Sequence, residues 1–516
     1  MPERLPIDPM SGYSTLAAID LGSNSFRLQV ARVEGRQVYP LDNLREMVRL
    51  AAGLTPDERL DEDSQARALA CLKRFSERLR GFPPHAVRAV ATNTLRVAKN
   101  AAVFLKKAEA AIGFPIEVIS GHEEARLIYL GVAHGLPASP DARLVMDIGG
   151  GSTEFIIGRR LKPVKLESLY MGCVSYSLRF FPGGRISRNA MNRAELSARS
   201  DIQAIAREFS SEHWQLAYGS SGTARALGDI IRLNQLGSGS SSGEITREGL
   251  ENFRNHLLKV DDIKKLDLAG LRADRALVIA GGFAIMSAAF AELGISQMAQ
   301  GMGALRQGVL YDLLGRFHKH DMREVTVRQF MRRYHVDGAQ ARRVESTALL
   351  LGKQLLAAFL DDGEEYLQAL SWAARLHEVG ISVAHSGYHK HSAYILGNAD
   401  MPGFSQREQE RLSMLALGHR GDIGKARGRI MEQPDFALLF ALRLATLFHR
   451  SRCETRLPGL EVSLRDKEFS LCLERKWLER NPLTHNALLA EIEQWNVLGF
   501  RFGITGADGS KLSASV

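Results

Sequence analysis

Cysteine is scarce in this chain of 516 residues: four in all, at 71, 173, 453 and 472. They form no CxxC pair and no cluster at metal-ligand spacing. That argues against a disulfide framework and a structural zinc site, and it fits a reducing cytosol. Long apolar runs are missing too. Leu277–Leu293 comes nearest, but Gly281–Gly282 and Glu292 interrupt it, so no membrane-spanning helix is expected. The opening MPERLPIDPMSGYS holds three prolines and no apolar run, which predicts a loose leader over 1–14 rather than a signal peptide. No glycine-rich loop closes on Gly-Lys-Ser/Thr, and no GxGxxG opens a helix after the first strand. A P-loop and a dinucleotide fold therefore have no support.

What is present describes an ordinary folded protein, 45% hydrophobic and 24% charged, long enough for two to four domains. The net charge of +9 concentrates late in the chain. Residues 311–343 carry eight Lys/Arg against four Asp/Glu, and 420–429 four against one. Such a surface suits a polyanion, an anionic membrane contacted peripherally, or a nucleic acid, or it is simply a solvated face. No aromatic-interleaved module accompanies it, so a specific nucleic-acid partner is not expected.

The informative stretch is Asp147–Glu154, DIGGGSTE, between the apolar runs Leu144–Met146 and Phe155–Ile157. Two strands joined by three glycines and a hydroxyl make a turn whose backbone N–H groups can cradle phosphate. Asp147, at the strand end, is placed to hold Mg²⁺ or its water, and Ser152 and Thr153 can donate to phosphate oxygens. The same idea occurs earlier: Ala17–Leu21 with Asp20, the turn Gly22–Ser25, then Phe26–Val30. Two such hairpins could face each other across a phosphate chain.

Between them the pattern alternates. Ser64–Leu79 has helical periodicity, Val87–Ala91 reads as a strand, and Arg96 lies between that strand and a helix at Ala101–Ile112, where phosphates are commonly received. A short strand, Pro115–Ser120, precedes Glu123 and Glu124 in the first turn of a further helix. Paired acids there suit the helix dipole, but one of them could reach the phosphate site. Further on come a strand Val164–Leu169, a helix Met191–Phe209, and a strand–Gly/Ser turn–helix around Gly219–Thr223. Leu236–Glu244 is a Gly/Ser loop, and Ala276–Phe283 reads as a strand-to-glycine-to-helix step of the kind that accommodates a nucleotide, here at Gly281–Gly282, or closes against its partner lobe. From Thr326 the pattern is helical, with strand-like alternation at Leu460–Glu474 and a last helix at Asn486–Leu498. His377, His385, His389, His391, His419 and His449 fall in this half and are read as satisfied or surface histidines ahead of a metal centre.

Taken together, IDLGSNSFRL, ATNTLR, ISGHEEARLIYLGV, DIGGGSTEF, MGCVS, FFPGG, GSSGT and GGF, in order over 16–310, resemble the exopolyphosphatase/guanosine-pentaphosphate phosphohydrolase family in its long bacterial form. The resemblance implies an α/β actin-like (ribonuclease H-like) two-domain ATPase-type core, residues 15–136 and 137–310. A mostly helical HD-like region, 311–516, would follow, with a small α+β cap from about 455–460. It implies Mg²⁺, or another divalent cation, with K⁺ an open question. Glu124 is the better match to the family's water-activating glutamate, with Glu123 its neighbour. Asp147, Glu154 and Asp20 match the acidic cluster around the metal. Ser23, Asn24, Arg96, Gly149, Gly150, Ser152 and Gly222 match phosphate-binding positions. The expected activity is processive release of orthophosphate from polyphosphate ends by direct water attack. The alternatives are pppGpp 5′-phosphatase activity and a non-catalytic polyanion or nucleotide sensor. A cytoplasmic homodimer is expected.

In the helical half the resemblance departs from a working HD centre: the pair is His377-Glu378, and Gln340 stands where the first histidine is expected. That half is then a binding and dimerising module, with Arg332, Arg333, Arg342 and Arg343 as a surface for the polyphosphate chain.

Overall fold

The computed structural model describes residues 14–35, 37–137, 139–237, 244–317, 321–357, 363–454 and 456–506. Nearly all of the expected leader, and the Gly/Ser loop at 238–243, lie outside the described residues. The chain divides into two compact units after Met322.

The first unit contains two sheets built on one plan. In the first, β1 (Ser14–Leu21), β2 (Phe26–Glu34) and β3 (Gln37–Glu46) form an antiparallel meander. β1 then pairs in parallel with β4 (Val87–Ala91), and β4 with β5 (Ile116–Val118). In the second, β6 (Ala142–Ile148), β7 (Thr153–Arg159) and β8 (Lys162–Leu169) repeat the meander. β6 pairs in parallel with β9 (Leu216–Ser220), and β9 with β11 (Gln297–Gln300), whose outer edge takes β10 (Ile245–Thr246).

The strands beside the parallel pairings are buried on both faces and read as near-continuous apolar runs. In β1, Ala17, Ile19 and Leu21 enter a core with α1 (Glu62–Arg78) and α3 (Ala101–Ile112), while Leu16 and Ala18 face the other way. Between β4 and α3 lies the short α2 (Asn93–Val97). Leu16 and Ala18 share a second core with Val145 of β6 and Ile156 of β7. That layer is filled by α4 (Gly121–His134) and α10 (Leu305–Phe317), which pack on each other. The expected domain end at 310 falls inside α10, because Leu310, Leu313 and Leu314 continue its apolar face against that layer.

The second sheet's outer face is covered by α5 (Cys173–Phe180), α6 (Arg188–Phe209), α7 (Ser221–Leu233), α8 (Arg247–Val260) and α9 (Ala273–Glu292). The expected strand-to-glycine-to-helix step at Ala276–Phe283 does not occur, since α9 runs through it unbroken. Its glycines serve packing. A Cβ on Gly281 would lie 2.6 Å from Ser177 Oγ and 2.7 Å from the Cys173 carbonyl, and one on Gly282 2.5 Å from Thr223 Cγ2. Tight approach of α5 and α7 outweighs the helix-weakening tendency of the pair, so these glycines form no nucleotide loop. α9 is also long and apolar enough to span a membrane by composition, but most of it is buried in this core.

The second unit is built from α11 (Met322–Arg333), α12 (Gly338–Leu356), α13 (Glu364–Leu376), α14 (Tyr388–Asn398), α15 (Gln406–Gly418) and α16 (Gln433–Phe448). The alternating stretch forms the hairpin β12 (Glu461–Arg465) and β13 (Glu468–Leu473). After α17 (Arg475–Arg480) and α18 (Pro482–Val497), a strand the sequence reading did not include, β14 (Arg501–Gly506), adds in parallel to β13. Phe440 stacks on Phe469 at 4.1 Å, with Trp495 against both, and locks this sheet to α16.

Candidate active site

The β1–β2 and β6–β7 turns meet. A Cβ built on Gly150 would stand 2.9 Å from Ser23 Cβ and 3.4 Å from the Asn24 nitrogen, so the two turns face each other at backbone distance. The second turn is held from behind by α5, whose Cys173 and Val174 N–H groups donate to the Gly149 and Gly150 carbonyls at 2.9 and 3.0 Å. Gly172 leaves room for that grip, because any Cβ there would run into the Gly150 carbonyl. Ser23 is braced by the Thr94 hydroxyl, 2.7 Å away. Asn24 Nδ2 is buried with no hydrogen-bond partner among the described residues. The turns line a small cleft of about 120 Å³ together with Asp20, Arg27, Thr92, Glu124, Asp147, Ser152, Ser221, Gly222, Arg275 and Arg306.

One side of this cleft is anionic. Asp20 ends β1, and hairpin register sets Asp147 directly opposite Glu154. Two like charges across a ladder are unfavourable unless a proton or cation intervenes. Burial, with repulsion from neighbouring acids, accordingly raises the Asp20 and Asp147 carboxyls to about 6 and Glu154 well above its ordinary value. Glu154 Oε1 accepts from Ser168 Oγ at 2.9 Å, while Oε2 is buried without a hydrogen-bond partner among the described residues.

The other side is cationic. Burial lowers Arg27 to about 10, with Arg306 adding repulsion. Arg275 and Arg306 are lowered by burial as well. Among the described residues, none of the three has a carboxylate within 4 Å. Arg27 reaches only Ser25 Oγ at 3.3 Å, and Arg306 the Asn43 amide at 3.2 Å. Gly222 makes room for the Arg275 guanidinium, which a Cβ would strike. Beside it Ser221 opens α7 at φ +73°, a costly conformation for a side-chain-bearing residue, with its hydroxyl donating to the Ile148 carbonyl.

The two adjacent glutamates diverge, since consecutive residues of a helix point about 100° apart. Glu124 lines the cleft and accepts from Arg96 Nη1 at 2.8 Å; the same nitrogen donates to the Ile119 carbonyl. Glu123 turns away into a buried network. It accepts twice from Arg126 at 2.7 Å, and Asp312 of α10 bridges Arg126 and Arg88 at 2.5 and 2.7 Å. Burial opposes the charge on Asp312, yet Arg126 and Arg88 hold its carboxyl well below the ordinary range.

Of the site residues expected from sequence, Asp20, Ser23, Asn24, Glu124, Asp147, Gly149, Gly150, Ser152 and Gly222 line the cleft. Arg96 and Glu154 stand immediately behind it, and Glu123 lies outside it. Arg27, Arg275 and Arg306 were not expected. Arg27 had a signal, because the hairpin register sets it opposite Asp20; the other two come from α9 and α10 with no local motif. Among the described residues no three His, Cys, Asp or Glu side chains converge closely enough to cage an ion. The unpartnered Glu154 oxygen and the raised carboxyls nevertheless fit a hard divalent cation that takes one or two carboxylates here and completes its shell with water and phosphate.

In the second unit, Gln340 is built into structure: its amide donates to the His449 carbonyl at 2.7 Å and its oxygen accepts from Arg343. Glu378 pairs with Arg452. His377 and His419 each place Nδ1 2.7 Å from the carbonyl three residues back, and burial lowers the pKa of both. Of the expected chain-binding arginines, Arg332, Arg333 and Arg342 are exposed. Arg343 is not a free surface charge, being held by Gln340 and the Arg452 carbonyl.

Residues 29–317 match the Ppx/GppA phosphatase family, and 322–492 match Ppx/GppA phosphatase, domain III. A guanosine-5′-triphosphate,3′-diphosphate pyrophosphatase from Pseudoalteromonas translucida is 38% identical over 491 residues, covering 94% of this chain and 97% of its own. An exopolyphosphatase from Cytophaga hutchinsonii shares the fold over 58% of this chain and 98% of its own, with TM-score 0.53 and 24% identity. An exopolyphosphatase-like protein does so over 58% and 97%, with TM-score 0.52 and 24% identity. With two family models covering most of its length and a relative aligned nearly end to end, the chain belongs to the Ppx/GppA phosphatase family.

Proposed function

We propose that this chain hydrolyses the terminal phosphoanhydride bond at the 5′ end of pppGpp, giving ppGpp and orthophosphate. The observation that carries a phosphoanhydride substrate is the opposition, in one cleft, of buried carboxylates to three arginines with no carboxylate within 4 Å among the described residues. Such a cleft is balanced only when a phosphate chain and a cation enter together. The near full-length likeness to a guanosine-5′-triphosphate,3′-diphosphate pyrophosphatase favours the nucleotide.

In this reading Glu124, held in place by Arg96, accepts a proton from water as its oxygen bonds to the terminal phosphorus. The bond to the bridging oxygen breaks, and the electron pair leaves on the diphosphate. Arg27, Arg275, Arg306 and the turn amides take the charge on the phosphate oxygens. Asp20, Asp147 and Glu154 would hold Mg²⁺, which supplies further neutralisation of that charge when bound.

A second reading, exopolyphosphatase, is favoured by the size of the cleft. At about 120 Å³ it accommodates terminal phosphates and demands no nucleoside. Initial rates of orthophosphate release from pppGpp and from long-chain polyphosphate by one preparation separate the two. Release from polyphosphate alone would overturn the nucleotide reading.

The divisions near 136 and 310, the HD-like character of the second unit, and its role in binding and dimerisation belong to the same proposal. The loss of ligands at Gln340 and Glu378 supports a non-catalytic second unit.

A further inference from the structure

A cavity separate from the cleft opens in the first unit. It measures about 510 Å³ and lies at the opposite end of α4, lined by Ala133, His134, Leu136, Pro137, Ser139, Pro140, Arg143, Arg160 and Leu161. Its described walls are mainly aliphatic, with His134, Arg143 and Arg160 their titratable side chains. Arg143 is 2% exposed, yet among the described residues no carboxylate reaches it. One terminal nitrogen donates to the Pro137 carbonyl, the guanidinium lies 6.0 Å from the Tyr218 ring, and Nε is buried with no hydrogen-bond partner among the described residues. Burying a cation without a counter-charge is costly, and a bound anion would relieve that cost. Arg160, at the β7–β8 turn, likewise has no carboxylate partner among the described residues, and its left-handed backbone (φ +53°) is held by a hydrogen bond from Tyr129 to its carbonyl.

Among the described residues no carboxylate lies within 4 Å of either guanidinium; Asp141, two residues before Arg143, takes the Ser139 hydroxyl at 2.6 Å instead. The carbonyls at this end of α4 are engaged: Val132 by the Gly135 N–H, Ala133 by Leu136, and Pro137 by Arg143.

We infer that this cavity is a second ligand site, for a small organic anion that joins an apolar ring or chain to one acidic group. Its volume is that of a small-molecule site. The aliphatic walls take the body of the ligand, and Arg143 with Arg160 take the acid. Inorganic phosphate lacks the body and would leave the walls unused. The assignment does not depend on which phosphoanhydride the cleft hydrolyses.

The probe is anilinonaphthalenesulfonate, an aromatic anion that fluoresces when bound to apolar surface, with uncharged phenylnaphthylamine beside it. The full chain should bind the sulfonate at one saturable site. Arg160→Gln, and Leu161→Asp placed at an exposed turn, should each weaken it roughly ten-fold at unchanged thermal midpoint. Phenylnaphthylamine should bind the wild type and Arg160→Gln equally. No saturable sulfonate binding, equal affinity in all three proteins, or equal loss of both dyes in Arg160→Gln would each overturn the assignment.

Discussion

At the scale of single residues, the proposed mechanism gives two neighbours of the same chemistry opposite work. Glu124→Gln should lower kcat by ~10²–10⁴-fold with little change in KM or in melting temperature, because a general base acts in the transition state. Glu123→Gln should do the reverse. It strips Arg126 of a bidentate partner in a buried network, a loss of about 3–5 kcal/mol that a denaturation curve would register. A large kcat loss in Glu123→Gln at normal stability would exchange the two roles.

Asp147 links stability to pH. Its carboxyl, ordinarily at 3.8, is raised to about 6 in the fold. Below about pH 4 it is protonated folded or unfolded and contributes nothing. From about 4 to 6 the native state keeps a proton that the unfolded chain releases, so stability falls as pH rises. Above 6 the whole penalty, up to about 3 kcal/mol, is present. Asp147→Asn should therefore melt higher than wild type at pH 8 without metal, with the gap closing towards pH 4. The same variant should need more Mg²⁺ for activity. Equal melting curves at pH 8, or an unchanged Mg²⁺ titration, would remove Asp147 from its assigned place.

At the scale of elements, local chemistry was legible and helix phase was not. Both glycine hairpins could be read directly, because apolar strands flanking a Gly/Ser turn leave few alternatives. The pair Gly281–Gly282 was misread as a turn since the same residues that break a helix also permit close packing, and only the position of α5 decides between them. The choice between Glu123 and Glu124 rested on resemblance; which of the two faces the cleft depends on Arg126 and on Asp312, 189 residues after Glu123, which hold Glu123 on the other face of α4. The cationic wall stayed hidden because β2, α9 and α10 each contribute one arginine. The misread glycine gives a test. Gly281→Ala should push α5, and with it the grip of Cys173 and Val174 on the β6–β7 turn, costing about 1–3 kcal/mol and lowering kcat/KM. Gly428→Ala, with open space around its Cβ, should change neither quantity. Wild-type kcat/KM in Gly281→Ala would show that the turn does not depend on the position of α5.

At the scale of the whole molecule, the open question is what the second unit adds to a first unit that already contains the cleft. If it holds the distal part of a long polyanion, its exposed arginines act as point charges whose attractions add along the chain, whereas terminal phosphates depend on the cleft alone. Arg343 is engaged within the unit, so the set to neutralise is Arg332, Arg333 and Arg342. Arg332 and Arg333 also close α11, where cations favour the helix dipole, so a few tenths of a kcal/mol of stability should be lost in any case. Replacing all three with glutamine should weaken binding of long polyphosphate while leaving pppGpp turnover unchanged. The difference should shrink as salt rises, because screening over ~8–10 Å removes long-range attraction first. Binding constants for a long and a short oligomer at two salt concentrations, measured on the full chain, check this. Equal losses for both lengths at both concentrations would make these arginines ordinary solvated charges and leave dimerisation as the second unit's remaining proposed role.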